Sequence, residues 1–460
     1  MRIKSSLMLT LVVMLVLPTA SAWSKAPKGH KAPKAPKGPK HVTVDDDGPA
    51  DYDNIQDAID AAPRVTRISV APGEYGGFVV ENRKNLKIER KGKHDTSPVI
   101  VTGAVSVSTY KGTFPLTIGV VNSTHVEISG FTVEAASTDP FTIAYFNSTG
   151  KIKNNEVYGN TGSELPGNAI AAFGTSGHGT VTIEGNYVHD YGKIGILVNA
   201  RRRPYFGDDD SDNFAEVEAD KNEYEPDGIH ARIKKNMILG TDFYPYLGYA
   251  SYDRVQDGIQ VVGGASADIE DNDISGNFQS TDSEFSCDGI LLVDAYKVKT
   301  KHNNIRDNWY GIHIQQHRIP IQDYISETKL EHDNIEYNVF GIAASSLIPG
   351  DIHVKHAKIK YNYWYGIRID DTDGILFDHC DIQENWSGLL ALGWGSYDTI
   401  ADYPAAAFTH CNITNNLDTD VANLSHTLVF EKVEYDRYFN DSLEYYLQTN
   451  FLFEDGILIE

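Results

Sequence analysis

Between Asp227 and Leu392 apolar side chains alternate with polar ones over short stretches, and no run of them recurs at the period of a helix. Short strands are therefore predicted. One phrase returns through the region: Asp227-Gly-Ile, Asp257-Gly-Ile, Asp288-Gly-Ile, Tyr310-Gly-Ile, Phe340-Gly-Ile, Tyr365-Gly-Ile and Ser387-Gly-Leu, with successive glycines 30, 31, 22, 30, 25 and 22 residues apart. Ahead of it stands a second phrase, His302-Asn-Asn-Ile305-Arg-Asp-Asn308, repeated in kind from His332, His356, His379 and His410. Each repeat reads as a strand, an Asn-marked turn and a second strand after the glycine, a unit that buries its apolar face only by stacking on its neighbours. Intervals this short leave no room for a crossover helix. The pattern predicts an all-β solenoid, a parallel β-helix rather than a leucine-rich horseshoe or a propeller.

A helical period appears in Asp51–Pro63, where Ile55, Ala58, Ile59 and Ala62 share a face and Pro63 ends the run. A helix there is expected to cap the open N-terminal end of the stack. Less regular coils follow from Val79 to Val198. Two insertions, residues 200–226 and 241–256, then interrupt the repeat, and loops of that length in a compact repeat usually carry function. After residue 417 the repeat fades, and the acidic, aromatic stretch from Leu428 to Glu460 is expected to form a C-terminal cap. Residues 41–460 read as a single domain.

With these repeats the chain resembles the right-handed parallel β-helix proteins of the pectin-lyase-like superfamily. The resemblance covers nearly everything after residue 41 and implies a right-handed coil acting on carbohydrate, without choosing among lyases, hydrolases, esterases and epimerases. The Asp-Pro-His motif of mannuronan C5-epimerases has as its nearest phrase here Pro226-Asp227-Gly-Ile-His230, in a different order. The Arg-X-Pro region of pectate lyases is echoed only by Arg318-Ile-Pro320.

Arg2 and Lys4, an apolar run from Leu7 to Leu17 and the small residues Ala20-Ser-Ala22 make residues 1–22 a secretory signal peptide, its apolar run too short to span a membrane. Residues 23–40, rich in Lys, Ala and Pro, are expected to be a disordered linker. The mature chain is expected to be an exported monomer, extracellular or, in a Gram-negative host, periplasmic. Eight of the 40 Lys and Arg and none of the 64 Asp and Glu fall in residues 1–40, leaving 32 bases against 64 acids in the remainder. Such a surface excludes nucleic acid as a partner and suits bound divalent cations. Cys287, Cys380 and Cys411 cannot build a disulfide framework. Cys380 and Cys411 each stand two residues before an inward Ile of successive coils and are expected to stack as buried thiols, a single disulfide being the alternative.

If the Ile after each glycine points inward, the next residue and the one two beyond it face outward, and equal positions on successive coils line up about 4.8 Å apart. The nearer column then holds His230, Gln260, Leu291, His313, Ala343 and Arg368; the farther holds Arg232, Val262, Val293, Gln315, Ser345 and Asp370. Beside them stand Asp227, Asp257 and Asp288, stacked carboxylates whose repulsion a calcium ion, a shared proton or a nearby Arg would relieve. Alternatively, each Asp caps its own Gly turn. The first insertion supplies Arg201, Arg202 and Arg203, suited to a carboxylated or sulfated glycan, and the second supplies Tyr244, Tyr246 and Tyr249, suited to stacking on sugar rings. The column Asn277, Asn308, Asn338, Asn362, Asn385 and Asn416 reads as an internal amide ladder. The column of His302, His332, His356, His379 and His410 points outward, either as a transition-metal site or as a stack of neutral imidazoles.

These residues lead to an expected function: a secreted enzyme on an anionic, uronate-containing polysaccharide, removing the proton alpha to the carboxylate and then eliminating (lyase) or reprotonating on the other face (C5-epimerase). Arg232 or the Arg201 to Arg203 group would neutralise the substrate carboxylate, with or without calcium on Asp227, Asp257 and Asp288. His230 or His313 would be the base and a loop Tyr the acid, with Gln260 and Arg368 touching substrate. The alternatives are a glycoside hydrolase with paired Asp residues and a non-catalytic glycan- or metal-binding protein.

Overall fold

The alternating Ile and Val residues do form strands, most of three to six residues, and each coil contributes one strand to each of three long parallel sheets. The computed structural model describes residues 40–61, 66–92, 97–109, 112–136, 139–160, 167–174, 179–200, 228–241, 256–277, 287–315, 327–345, 351–370, 374–392, 406–424 and 428–439. One coil shows the path: Lys297–Lys301 in the first sheet, Asn304–Arg306 in the second and Tyr310–Gln315 in the third. Among the described residues the first and third sheets hold 14 strands each and the second 13, and the fold is a right-handed parallel β-helix. An antiparallel pairing joins Val105–Thr109 to Gly112–Val121. The inward Ile, Val and Leu residues form one continuous core from Val42 to Val421, to which the helix Ile55–Ala61 adds Ile55, Ala58 and Ile59. No helix among the described residues is long and apolar enough to cross a membrane. The expected signal peptide lies outside the described residues.

Two ladders of carboxamides hold the coil corners. In the first, the backbone N–H and the Nδ2 of Asn308 both donate to Oδ1 of Asn338, at 3.1 and 3.0 Å, and the same pair of bonds links Asn277 to Asn308 and Asn338 to Asn362. It continues through Asn385 and Asn416 and ends on Asp420, whose Oδ1 accepts from Asn416 and whose Oδ2 accepts from the backbone of Asp436 and Arg437. This is the amide ladder expected from the sequence. A second ladder, not anticipated, runs through Asn155, Asn186, Asn236, Asn272 and Asn303 and also ends on a carboxylate, Asp333. Above Asp333 the same column continues as Ala357, Cys380 and Cys411, the two cysteines buried and free. Each corner thus satisfies buried backbone and side-chain groups together, as burial demands.

The glycine column stands directly after the first ladder. A Cβ on Gly311 would lie 2.5 Å from the Gly341 carbonyl oxygen and 2.6 Å from Ile335 Cγ2, and Gly258, Gly289, Gly341, Gly366 and Gly388 meet equivalent atoms. The column begins at Gly195, whose Cβ would meet the Gly258 carbonyl, and not at Gly228. Gly228 instead precedes Ile229–Lys234, a strand of the first sheet that pairs with Gly179–Glu184. The phrase at Asp227 is therefore a chance match to the repeat, and the register of that coil is set by Asn236, which joins the second ladder. The coiling also extends past residue 417: Thr419–Leu424 pairs onto Ser387–Leu392, and Leu428–Glu431, Glu434–Tyr435 and Tyr438–Phe439 add a further turn to the three sheets. The Gly and Asn signatures end there because Asp420 occupies the glycine register and turns its carboxylate inward to close the ladder.

Replacing Gly311 with Ala should destabilise the fold by about 1–3 kcal/mol through forced displacement of backbone, whereas Gly76→Ala, where nothing lies within 4 Å of the new Cβ, should stay near wild type; urea unfolding of both variants measures the difference. The second ladder supplies a pH effect. Burial outweighs the hydrogen bonds from Thr300 and Asn303 and pushes the Asp333 carboxyl up to about 6. A carboxyl held above its unfolded value of about 3.9 stabilises the fold fully at low pH, and that contribution is lost as pH rises through about 6. Asp333→Asn should remove this decline and be more stable than wild type at neutral pH by ~3 kcal/mol, read from unfolding midpoints at acid and neutral pH.

Candidate functional site

The outer face of the third sheet changes character along the stack, and the change locates the site. Each glycine kinks the strand so that the residue before it and the residue two after it both leave the core. Ile194 and Leu197 accordingly share an outer apolar cluster with Phe141, Phe146 and Phe173, while Ile196 lies in the interior. Those first coils carry phenylalanines stacked edge and face at 5.0 to 6.1 Å. At the other end the outer positions are apolar again, with Leu390, Leu392 and Ala422 clustered. Between them lies a polar window on four coils: Asp257, Gln260, Asp288, Tyr310, His313, Gln315, Arg368 and Asp370. That face interrupts its own apolar lanes with three acids, a histidine and an arginine, a grouping that marks a candidate functional site.

Within the window the contacts converge on Asp288 and Tyr310. Asp288 is fully buried, and Nδ1 of His313 lies 3.5 Å from its Oδ2. The other ring nitrogen of His313 lies 3.1 Å from Nε2 of Gln315, and the His313 ring stacks on Tyr310 with centroids 4.6 Å apart. Burial pushes the Tyr310 phenol up to about 12, while Arg368 pulls it down and Asp288 and Asp370 push it up, so that hydroxyl lies in the field of all three charges. Arg368 lies over the Phe340 ring, 5.6 Å from its centroid, and its Nε donates to Asp370 at 2.8 Å. One coil before Asp288, the Asp257 carboxylate accepts the Asp288 backbone N–H at 3.1 Å. Burial, and then the charge of Asp288, holds the Asp257 carboxyl well above the usual carboxylate range.

The sequence columns are met at Gln260, Leu291, His313, Ala343 and Arg368, which pair in succession, and at Val262, Val293, Gln315, Ser345 and Asp370. His230 and Arg232 are not part of them. Both lie in the first sheet, aligned with Thr180 and Thr182 on one side and Ser266 and Asp268 on the other, and both turn to Asp268, at 3.2 and 3.9 Å. The misplacement follows from the false repeat at Gly228. Asp227, Arg201, Arg202, Arg203, Tyr244, Tyr246 and Tyr249 lie outside the described residues. Asp257 and Asp288 stand on neighbouring coils as expected, both buried.

Two features escaped the sequence reading. Tyr310 stood in the repeat phrase as one more aromatic, and only the kink at Gly311 brings it beside His313. An aromatic strip then leads away from the window along the corner of the second and third sheets: Trp309, Phe340, Trp364 and Tyr365 pack together, and Tyr361, Tyr363 and Trp386 stand exposed beside them. Tyr337 and Tyr361 stack at 5.3 Å, both at positive φ. The recurrent aromatics just before and after the ladder asparagines were the available signal.

A model of the right-handed β-helix region matches residues 205–347 and 253–403. Among solved structures the chain is similar to the periplasmic alginate epimerase AlgG (13% identity, 83% of this chain and 80% of that one, TM-score 0.43). It is similar also to the catalytic unit of a thermostable GH87 alpha-1,3-glucanase from Streptomyces thermodiastaticus (13% identity, 84% and 66%, TM-score 0.53). A third is the A-module of the Azotobacter vinelandii mannuronan C-5 epimerase AlgE4 (13% identity, 84% and 92%, TM-score 0.42). No curated protein matches the chain in sequence. At these identities the likeness is one of fold.

The raised Asp257 carboxyl stabilises the fold while protonated and withdraws that contribution as pH rises through its elevated folded value. Asp257→Asn should therefore flatten the loss of stability on the alkaline side while leaving acid stability near wild type, as read from thermal midpoints across the pH range.

Proposed function

We propose that this β-helix is an exported enzyme acting on an anionic, uronate-containing polysaccharide by removing the proton alpha to the sugar carboxylate. The observation that carries the reading is the polar window, where a cation, an imidazole and a neutral phenol sit on one face. Arg368, backed by the Phe340 ring, meets the substrate carboxylate and stabilises the charge that grows on it as the carbon loses its proton. His313, held by Asp288 on one nitrogen, is the base; the stacked Tyr310, its phenol kept protonated by burial, is the acid. These assignments replace Arg232 and His230, which face the first sheet, and the loop tyrosines as acid. The exposed Tyr361, Tyr363 and Trp386 offer flat apolar faces on which successive sugar rings of a long chain can lie.

The same groups serve elimination and epimerisation, so the products decide between them. Purified chain incubated with alginate, pectate and glycosaminoglycans, with and without calcium, should yield ultraviolet-absorbing unsaturated ends together with new reducing ends if it is a lyase. An epimerase would instead change the uronate signals in the NMR spectrum of the recovered polymer without either. Reducing ends that appear alone would overturn the reading in favour of hydrolysis by the paired acids Asp257 and Asp288. In the active case Tyr310→Phe and His313→Gln should each lower kcat by about 100-fold or more, whereas Gln260→Ala should act mainly on KM.

A further inference from the structure

We propose that Asp378, His379 and His410 form a binding site for a divalent transition cation such as zinc, nickel or copper, on the turn between the first and second sheets and apart from the polar window. The histidine column lies one residue before the second ladder, at the corner where every coil needs a left-handed residue. His302, His332, His356, His379 and His410 all have φ between 53 and 60°, a conformation that His, Asn and Asp adopt more readily than most residues. Their rings stack outward in line at centroid spacings of 5.3, 4.8, 5.2 and 4.6 Å. For the first three the column is only a stack of imidazoles, with Asp271 3.9 Å from His302 at its start. At the last two coils it becomes a donor set.

There the rings of His379 and His410 lie within 17° of parallel, and Nδ1 of each faces the same oxygen of Asp378, at 2.6 and 3.8 Å. One ligand atom from each of the three residues lies within 4.8 Å of the others. Two imidazole nitrogens and a carboxylate oxygen converging on one side are a borderline-soft set that suits zinc, nickel or copper better than calcium or magnesium. The remaining neighbours set limits on the site without closing it. Thr409 donates to Asp378 Oδ1 at 3.1 Å, Lys355 Nζ is 3.9 Å from Oδ2, and Lys432 Nζ is 3.4 Å from His410 Nε2. Lys432 is exposed and turns into solvent when metal on Nδ1 leaves the proton on Nε2. Because Asp378 and His379 belong to one coil and His410 to the next, the ion ties two coils of the stack together near its C-terminal end.

The test is calorimetric titration of the full chain with Zn2+ alone, repeated on His379→Asn, His410→Asn, Asp378→Asn and the control His302→Asn. Asn keeps the left-handed turn, as Asn154 does with φ 51° in the same column, so far-ultraviolet circular dichroism should be unchanged. The expected result is the loss of one equivalent of bound ion in His379→Asn and His410→Asn, a weakened equivalent in Asp378→Asn, and wild-type binding in His302→Asn. Zinc should also raise the thermal midpoint of the wild type and of His302→Asn but not of His410→Asn, since an ion that binds only the folded coil stabilises it. Equal binding by all five proteins, or an equal loss in the control, would overturn the site. Neither readout depends on enzymatic activity, so the outcome is separate from that of the polysaccharide assay.

Discussion

The corner between the second and third sheets buries backbone N–H groups out of reach of solvent, and nearly everything else follows from how they are satisfied. An asparagine at each corner accepts the preceding coil's N–H and amide on one oxygen while its own amide donates to the next. That exchange works only if successive coils are spaced and aligned alike. The glycine that follows is its consequence, because the ladder amide, an Ile methyl and the next carbonyl together leave no room for a Cβ. The kink at the glycine is in turn what places the preceding residue on the outer surface, and so what puts Asp288 and Tyr310 within reach of His313. A ladder that exists for packing thus decides where the chemistry can be.

How much of this the sequence discloses depends on whether a residue is used by the repeat or by its neighbour. Inward Ile, ladder Asn and corner Gly are each demanded by the same geometry on every coil, so they recur and can be read. The exposed column of histidines is legible for the same reason: its backbone is left-handed on every coil. Registers that cross an insertion are not. Gly228 imitates the repeat in every letter of its phrase, yet its strand belongs to the first sheet, aligned by its pairing with Gly179–Glu184 and by Asn236 in the second ladder, across the 201–227 insertion. The error at one glycine carried His230 and Arg232 to the wrong face. The second ladder was hidden differently, since its positions pass from Asn to Asp, Ala and Cys as the column climbs, a change in chemistry at constant shape.

Charge is distributed with similar economy. The body holds twice as many acids as bases, yet Asp257, Asp288, Asp333 and Asp420 are buried. Asp257, Asp333 and Asp420 accept backbone or amide N–H groups, and Asp288 faces the His313 ring. Of these, Asp333 and Asp257 are held above the usual carboxylate range, by burial first of all. Acidic groups inside this coil are therefore partly proton stores, while those outside make it soluble and draw cations to its surface.

The ladders also give the stack a direction. Every amide in the first ladder donates toward the C-terminal coil, so the small dipoles add along the axis and the last acceptor carries the polarisation of all those before it. That acceptor is Asp420, a carboxylate with no amide of its own to pass on. A solenoid is in principle an open polymer whose terminal strands can template another coil or another molecule. Here the relay ends on a group that can only receive, and its second oxygen takes the N–H groups of Asp436 and Arg437, which ties the following turn to the closed ladder. The first ladder is thus closed by the two oxygens of one carboxylate, while the three sheets carry on for one more turn beyond it.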